Sequence, residues 1–290
     1  MAESLADFLL KEAPKVPHII GRGILPVAGK MVIGGPPKSN KSFVVINMML
    51  DLVRGHNIFD AAYPTGSPVF PVSKSHRVLY FENEIGHDGL KERLLGITNG
   101  EIPLGLELFI QSRDLTLRLD TPEGVQAISE QVAAVKPDVV VIDPLAKFHL
   151  ADENSAQEMG AIMRVGDRLI EKFGCALVYI HHTGKEDINN PRRGGNRLRG
   201  SSAIFADVDT FIEVVRQSDP ADMEPILGLN FEIRRGKPIN PVYVRRLESG
   251  RIKYIEDNFN GFSMKQEKPF VFPAEKPMKK SSKQKFVDNL

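Results

Sequence analysis

From residue 30 to residue 182 the chain alternates short apolar runs with helical patterns, and this alternation limits the fold more than any other feature. "MVIGG", "RVLYFE", "LELFI", "PDVVVIDPL" and "CALVYIHH" read as strands. The continuous apolar character of the longer runs fits strands covered on both faces, as in a parallel sheet. Between them lie "KSFVVINMMLDLVRG", "DGLKERLLGI", "TPEGVQAISEQVAAV" and "SAQEMGAIMRVGDRLIEKFG". These read as helices, with Thr121 as an N-cap before Pro122 and with Gly55 and Gly174 as stops. Such alternation predicts an α/β fold with a mostly parallel sheet flanked by helices. After residue 208 the pattern becomes strand after strand: "DTFIEVVRQ", "ILGLNFEIRRG", "PVYVRRLESG" and "RIKYIED", with "ESGR" as a tight turn. These predict an antiparallel C-terminal extension of the same sheet. There is no internal repeat.

The ends of the chain read differently. "SLADFLLKEA" predicts a short amphipathic helix over residues 4–13, with Ser4 and Asp7 as a capping pair, followed by an extended Pro-rich connector. The last thirty or so residues are rich in lysine and proline and poor in aliphatics, and are expected to be a disordered basic tail. The expected organisation is therefore helix and connector over 1–29, one α/β domain over 30–257, and the tail over 258–290. A formal net charge of +1 excludes a globally basic nucleic-acid binder, so any such surface must be local. The single cysteine, Cys175, sits in an apolar run and is expected in the core; it excludes disulfide frameworks within the chain and cysteine-based zinc sites. No 18-residue apolar stretch and no signal-like N-terminus is present, so a cytoplasmic location is expected and no membrane partner.

The chemistry begins at "GGPPKSNKS", residues 34–42. It approaches the phosphate-binding pattern G-x-x-x-x-G-K-[ST], with Asn40 in place of the second glycine. It follows a predicted strand and opens a predicted helix, which is the context such a loop requires. Gly35, Pro36, Pro37, Lys38, Ser39, Asn40, Lys41, Ser42 and Phe43 are the expected nucleotide-binding residues. Lys41 would neutralise the β- and γ-phosphates of ATP, and Ser42 would offer its hydroxyl to Mg²⁺. Asn enters left-handed backbone more readily than most residues, so Asn40 reads as a tolerated variant. The Gly21/Gly23 pair opens no helix and is not a dinucleotide fingerprint.

Asp143 closes the apolar run "VVVID" at the C-terminal end of its strand, where open α/β sheets bind ligands; it is the expected second Mg²⁺-associated residue. "VLYFENEIGHDGL" offers Glu82, Glu84 and Asp88 as candidates to orient water. Glu84 is preferred and Glu82 comes next, provided that strand neighbours the phosphate-loop strand. His181 and His182 end a third strand, and alternation lets only one face a nucleotide. Without other ligands at metal spacing they do not predict a metal site.

Phosphate loop, acidic strand end, apolar strand with Asp143 and the His–His strand together resemble the RecA-like ATPase core. Within it the chain looks most like RepA-like plasmid and phage replicative helicases and related RecA-type AAA family ATPases. The likeness runs over roughly residues 20–250, through "VVVIDPLAKFHLADENSAQEMG", "GCALVYIHHTGK" and "LRGSSAIFADVDTFIEV". It implies a water-activating role for Glu84, a γ-phosphate sensor at His182 and the Mg²⁺ role for Asp143. Asn40 departs from the family's glycine. The resemblance also implies a homo-oligomeric ring, a hexamer, with cations reaching a neighbour's nucleotide: Arg235 and Lys237, with Arg234 and Arg199 as alternates. The N-terminal helix is expected either on the neighbouring subunit or on its own domain. "GKEDINNPRRGGNRLRGSS" would line the channel and hold single-stranded DNA without sequence preference, through Arg192, Arg193, Arg197 and Arg199 and the backbone of Gly194 and Gly195. The implied function is a DNA-dependent ATPase motor in replication, whose tail could contact replication partners. A recombinase or annealing mediator, and a nucleotide-gated DNA-binding regulator, stay open as alternatives.

Overall fold

In the computed structural model the described residues are 3–12, 16–62, 65–184 and 202–255. In chain order they form α1 (Leu5–Leu10), β1 (His18–Ile20), β2 (Leu25–Pro26), β3 (Lys30–Gly35), α2 (Lys41–Arg54), β4 (Val78–Glu82), α3 (His87–Ile97) and β5 (Leu108–Ser112). There follow α4 (Pro122–Val135), β6 (Val139–Asp143), α5 (Ala156–Phe173), β7 (Ala176–His182), α6 (Ser202–Asp207), β8 (Thr210–Arg216), β9 (Ile226–Ile233), β10 (Val242–Arg246) and β11 (Ile252–Ile255). The basic tail and the arginine-rich stretch after the His–His strand lie outside the described residues.

β3 to β11 build one 9-stranded sheet in the order β11-β10-β9-β8-β3-β7-β6-β4-β5. The strands from β3 to β7 pair in parallel, which confirms the expected α/β core. The C-terminal extension differs in one detail: its first strand, β8, runs parallel to β3, and antiparallel pairing starts only at β8–β9. The chain returns to β3 through α6, so β8 enters from the same end as the core strands.

Successive residues of each strand serve opposite cores, as pleating requires. Met31 and Ile33 of β3 pack with Val44, Val45 and Met48 of α2 on one face, where Leu90 of α3 joins them. Val32, from the same strand, packs on the other face with Ile128 of α4 and Ile162 of α5. Helix ends follow local chemistry. Thr121 Oγ1 accepts a hydrogen bond from Gly124 N at 3.2 Å, and Ser155 Oγ accepts one from Glu158 N at 3.2 Å. Gly55 and Gly174 close their helices in the left-handed region, both at φ 69°. Cys175 is buried in the core, and burial pushes its thiol up to about 11.

Two expectations change near the N-terminus. The connector is not merely extended: β1 and β2 form a small antiparallel hairpin whose Ile19 and Ile20 are buried. The first helix keeps its Ser4 cap, which accepts from Asp7 N at 3.1 Å, but it ends at Leu10. Its Leu5, Phe8, Leu9 and Leu10 are all exposed. No helix among the described residues is long and apolar enough to cross a membrane.

Candidate functional site

The parallel strands share one C-terminal edge, and the phosphate loop opens on it between β3 and α2. Asn40, the residue that departs from the pattern, adopts φ 67° and ψ 21°. That is the left-handed conformation the missing glycine would have supplied, and Asn is among the few other residues that enter it readily. Lys38 is also left-handed, at φ 63°. The loop places the start of α2 so that its first N–H groups and its helix dipole point at one spot.

Lys41 crosses this spot. Its ammonium donates to Gly35 O at 2.9 Å and Pro36 O at 2.8 Å, and lies 3.3 Å from His182 Nδ1. Burial pulls the amine down to about 8, while Asp143 and Glu84 oppose that shift. Two strand-end carboxylates are thus within electrostatic reach of the loop lysine. Gly35 is tightly enclosed: a Cβ there would lie 2.5 Å from Val214 O and 2.7 Å from Ser39 Oγ.

Asp143 is fully buried at the end of β6. Tyr80 Oη donates to its Oδ2 at 2.7 Å, and the Ser42 hydroxyl also stabilises the charged form. Its other oxygen, Oδ1, has no hydrogen-bond partner among the described residues. Burial dominates and raises the carboxyl to about 6.

The two glutamates of β4 and its following loop have separate environments. Glu82 is buried and fully engaged. Its Oε1 accepts from Glu84 N at 2.6 Å and from Ile85 N, and its Oε2 accepts from Gly86 N and Ser112 Oγ, both at 2.9 Å. It clamps the turn that leads into α3. Glu84, held by that clamp, is exposed. One premise is corrected: β4 does not neighbour β3, because β7 and β6 lie between them. Glu84 acts on Lys41 electrostatically from the loop beyond its strand.

The histidine pair divides as alternation requires. His182 is the member beside Lys41, and His181 is fully buried with Nδ1 4.0 Å from Glu153 Oε1. Asp88 is exposed in the first turn of α3, where it lies 3.2 Å from His87.

Arg235 and Lys237 lie elsewhere. β9 runs back along β8, so Ile233 faces Thr210, and Thr210 sits beside Met31 near the start of β3. The turn carrying Arg235 and Lys237 abuts Gly23, at the opposite end of the sheet from the phosphate loop. A strand of this length spans about 20 Å, so neither exposed cation meets this chain's own loop. Arg234 is fixed nearby by donating to Ala206 O. Arg192, Arg193, Arg197 and Arg199 fall outside the described residues.

Sequence reasoning did not find the support given by Tyr80, nor a contact at Phe43. The guanidinium of Arg93 lies 4.7 Å and that of Arg246 4.9 Å from the Phe43 ring centroid. No local signal links residues 43, 93 and 246. Among the described residues no group of three or more His, Cys, Asp or Glu side chains could hold a metal on its own.

The chain is 20% identical over 195 residues to the DNA repair protein RadA of Haemophilus influenzae, a match covering 63% of this chain and 35% of that protein. The chain therefore aligns with about a third of that relative's length. A family model described as an AAA domain matches residues 1–187. That stretch contains β3 to β7, the strands whose ends bring Lys41, Glu84, Asp143 and His182 together, and by this match the chain belongs to the AAA domain family of RecA-like P-loop ATPases.

Proposed function

We propose that this protein is an ATP-hydrolysing motor that runs on single-stranded DNA as a homo-oligomeric ring, a hexamer, and acts as a replicative helicase. The observation that carries the reading is the gathering of Lys41, Asp143, Glu84 and His182 at one sheet edge, with Arg235 and Lys237 at the other. The first group suits hydrolysis within one subunit, and the second suits a subunit that completes its neighbour's site. The likeness to a DNA repair protein supports a role on DNA.

In this reading Lys41 leaves the loop carbonyls to meet the β- and γ-phosphates. Ser42 and Asp143 would hold Mg²⁺: a buried carboxylate oxygen without a hydrogen-bond partner among the described residues, beside a hydroxyl, is a fitting oxygen donor set. Because these are few protein ligands, the phosphates would complete the shell. The ion would supply neutralisation of the charge that develops on the γ-phosphoryl group. Glu84 orients the attacking water, with Glu82 fixing the backbone that carries it. His182 lies beside Lys41 and would meet the γ-phosphate, and the sequence runs on from it into the arginine-rich stretch. Arg192, Arg193, Arg197 and Arg199 there would bind DNA phosphates, and Arg235 and Lys237 would act on the adjacent subunit's nucleotide. The exposed apolar face of α1 supports packing on that subunit.

The test is ATP hydrolysis with and without single-stranded DNA, for the native chain, Lys41→Ala and Glu84→Gln. DNA should stimulate the native protein, and both variants should lose at least a hundredfold in rate, with Glu84→Gln still binding ATP. Nucleotide binding with turnover indifferent to DNA would overturn the motor and favour the regulator.

A further inference from the structure

Three arginines converge beside the first turn of α2. Arg93 comes from α3, Arg216 from the end of β8 and Arg246 from the end of β10. Arg93 and Arg246 lie 4.7 and 4.9 Å from the Phe43 ring centroid. Arg216 and Arg246 are joined through the turn between β8 and β9. Arg216 Nη2 donates to Asp219 O at 2.7 Å and Asp222 O at 2.8 Å, and Arg246 Nη2 donates to Met223 O at 2.9 Å. Burial, then the charges of Arg216 and Arg93, lower the Arg246 guanidinium from its ordinary value. Like charges gathered this closely without acidic partners are costly. Among the described residues none of the three has a carboxylate partner, and the buried Nε of both Arg216 and Arg246 has no acceptor.

Its place in the sheet says which part of a ligand it meets. His182, Asp143 and Glu84 stand at the ends of β7, β6 and β4, all on one side of β3. Arg216 and Arg246 stand at the ends of β8 and β10, on the other side of β3 and at the same edge, because β8 and β10 point the same way. A nucleoside triphosphate with its γ-phosphate at the first group extends its nucleoside toward the second. A guanidinium has two flat faces, and the central carbon of the Arg246 guanidinium lies over the Phe43 ring. Guanidinium planes also stack on nucleobases.

We infer that Arg246 forms the base-holding end of the nucleotide site, stacking its guanidinium plane on the purine ring, with Arg216 and Arg93 positioning it. This rests on reading the loop as an ATP site. Phe43 then has a role beyond the phosphate loop: it props the first face of the guanidinium so that the second is presented flat. Arg216 fixes the turn through the carbonyls of Asp219 and Asp222, and the same turn holds Arg246 through Met223 O.

The experiment is calorimetric titration of the full chain, in the presence of Mg²⁺, with ATP and separately with tripolyphosphate, which has no base. Arg246→Ala should weaken ATP about tenfold and leave tripolyphosphate unchanged. Arg246→Lys, which keeps the charge and loses the plane, should share most of that ATP loss; this second variant also guards against a general collapse of the pocket. Equal losses for both ligands would make Arg246 a phosphate cation and overturn the inference, as would an unchanged ATP affinity. Lys41→Ala should weaken both ligands. A native chain that binds neither ligand would overturn the ATP reading itself, an outcome distinct from failure of the arginine variants alone.

Discussion

Asp143 faces opposing demands. Burial raises its carboxyl to about 6, and the Tyr80 hydroxyl at 2.7 Å is the first of the groups that hold it down. Because the charged form is the one that serves a cation, activity should fall as pH drops through about 6. Lys41 behaves in the opposite sense: its amine is pulled down to about 8, so its charge is lost as pH rises through that value. The kcat/KM profile should therefore be bell-shaped between these limbs. Tyr80→Phe removes a donor to the charged carboxylate, so the acid limb should move to higher pH while the basic limb stays. The same change leaves a buried oxygen short of a partner, at a cost of about 1–3 kcal/mol in stability. Paired pH–rate profiles and thermal melts check both, and an unmoved acid limb would mean that another group sets it. At this scale the sequence was partly legible. The left-handed backbone of Asn40 followed from the readiness of asparagine to enter that region. Tyr80 was not legible, because a tyrosine inside an apolar strand looks the same whether its hydroxyl caps a carboxylate or merely reaches the surface.

The turn between β4 and α3 depends on one side chain. Glu82 accepts three successive backbone N–H groups, of Glu84, Ile85 and Gly86, and ties them to Ser112 of β5. In Glu82→Gln one acceptor becomes an NH₂ group that must face a donor. A melting-temperature loss corresponding to about 2 kcal/mol is expected. ATP affinity should stay close to native while kcat falls, because the clamp positions Glu84 and touches no nucleotide. Equal damage to affinity and turnover would remove that assignment. The sequence placed both glutamates at the end of one strand, but it did not show where that strand lies. The condition that this strand neighbour β3 is not met, because β7 and β6 stand between. Strand order within a parallel sheet depends on crossover connections, and local patterning carries little of that information. The strand and helix runs themselves were legible because 2.0 and 3.6 residue periodicities are local. The meeting of Phe43 with Arg93 and Arg246 was beyond reach for the same reason that strand order was.

Across the whole molecule, the two ends of the sheet carry different halves of the chemistry we propose. Lys41 and its companions occupy one end, while Arg235 and Lys237 sit about a strand's length away at the other. If each site borrows its cation from a neighbour, Arg235→Ala and Lys41→Ala chains should each be inactive alone and regain part of the native rate when mixed. Measured ATPase against mixing ratio would show it; no recovery in demonstrably mixed oligomers would place Arg235 outside the reaction. The sheet also has an asymmetry with a practical side. β3 lies between β7 and β8, and β8 belongs to the part of the chain beyond the family match, which ends at residue 187. Trimming the protein at that boundary would leave the innermost strand as a raw border, with the alternate backbone groups of Met31 to Gly34 that face β8 open to any passing chain. Asn47 of α2, whose amide group bonds Gly250 O at 3.0 Å and Ile252 N at 3.0 Å, would lose its anchors in the same cut. Workers seeking a minimal catalytic fragment should therefore keep the chain through Ile255, since the strands after residue 187 seal the part that the family model matches.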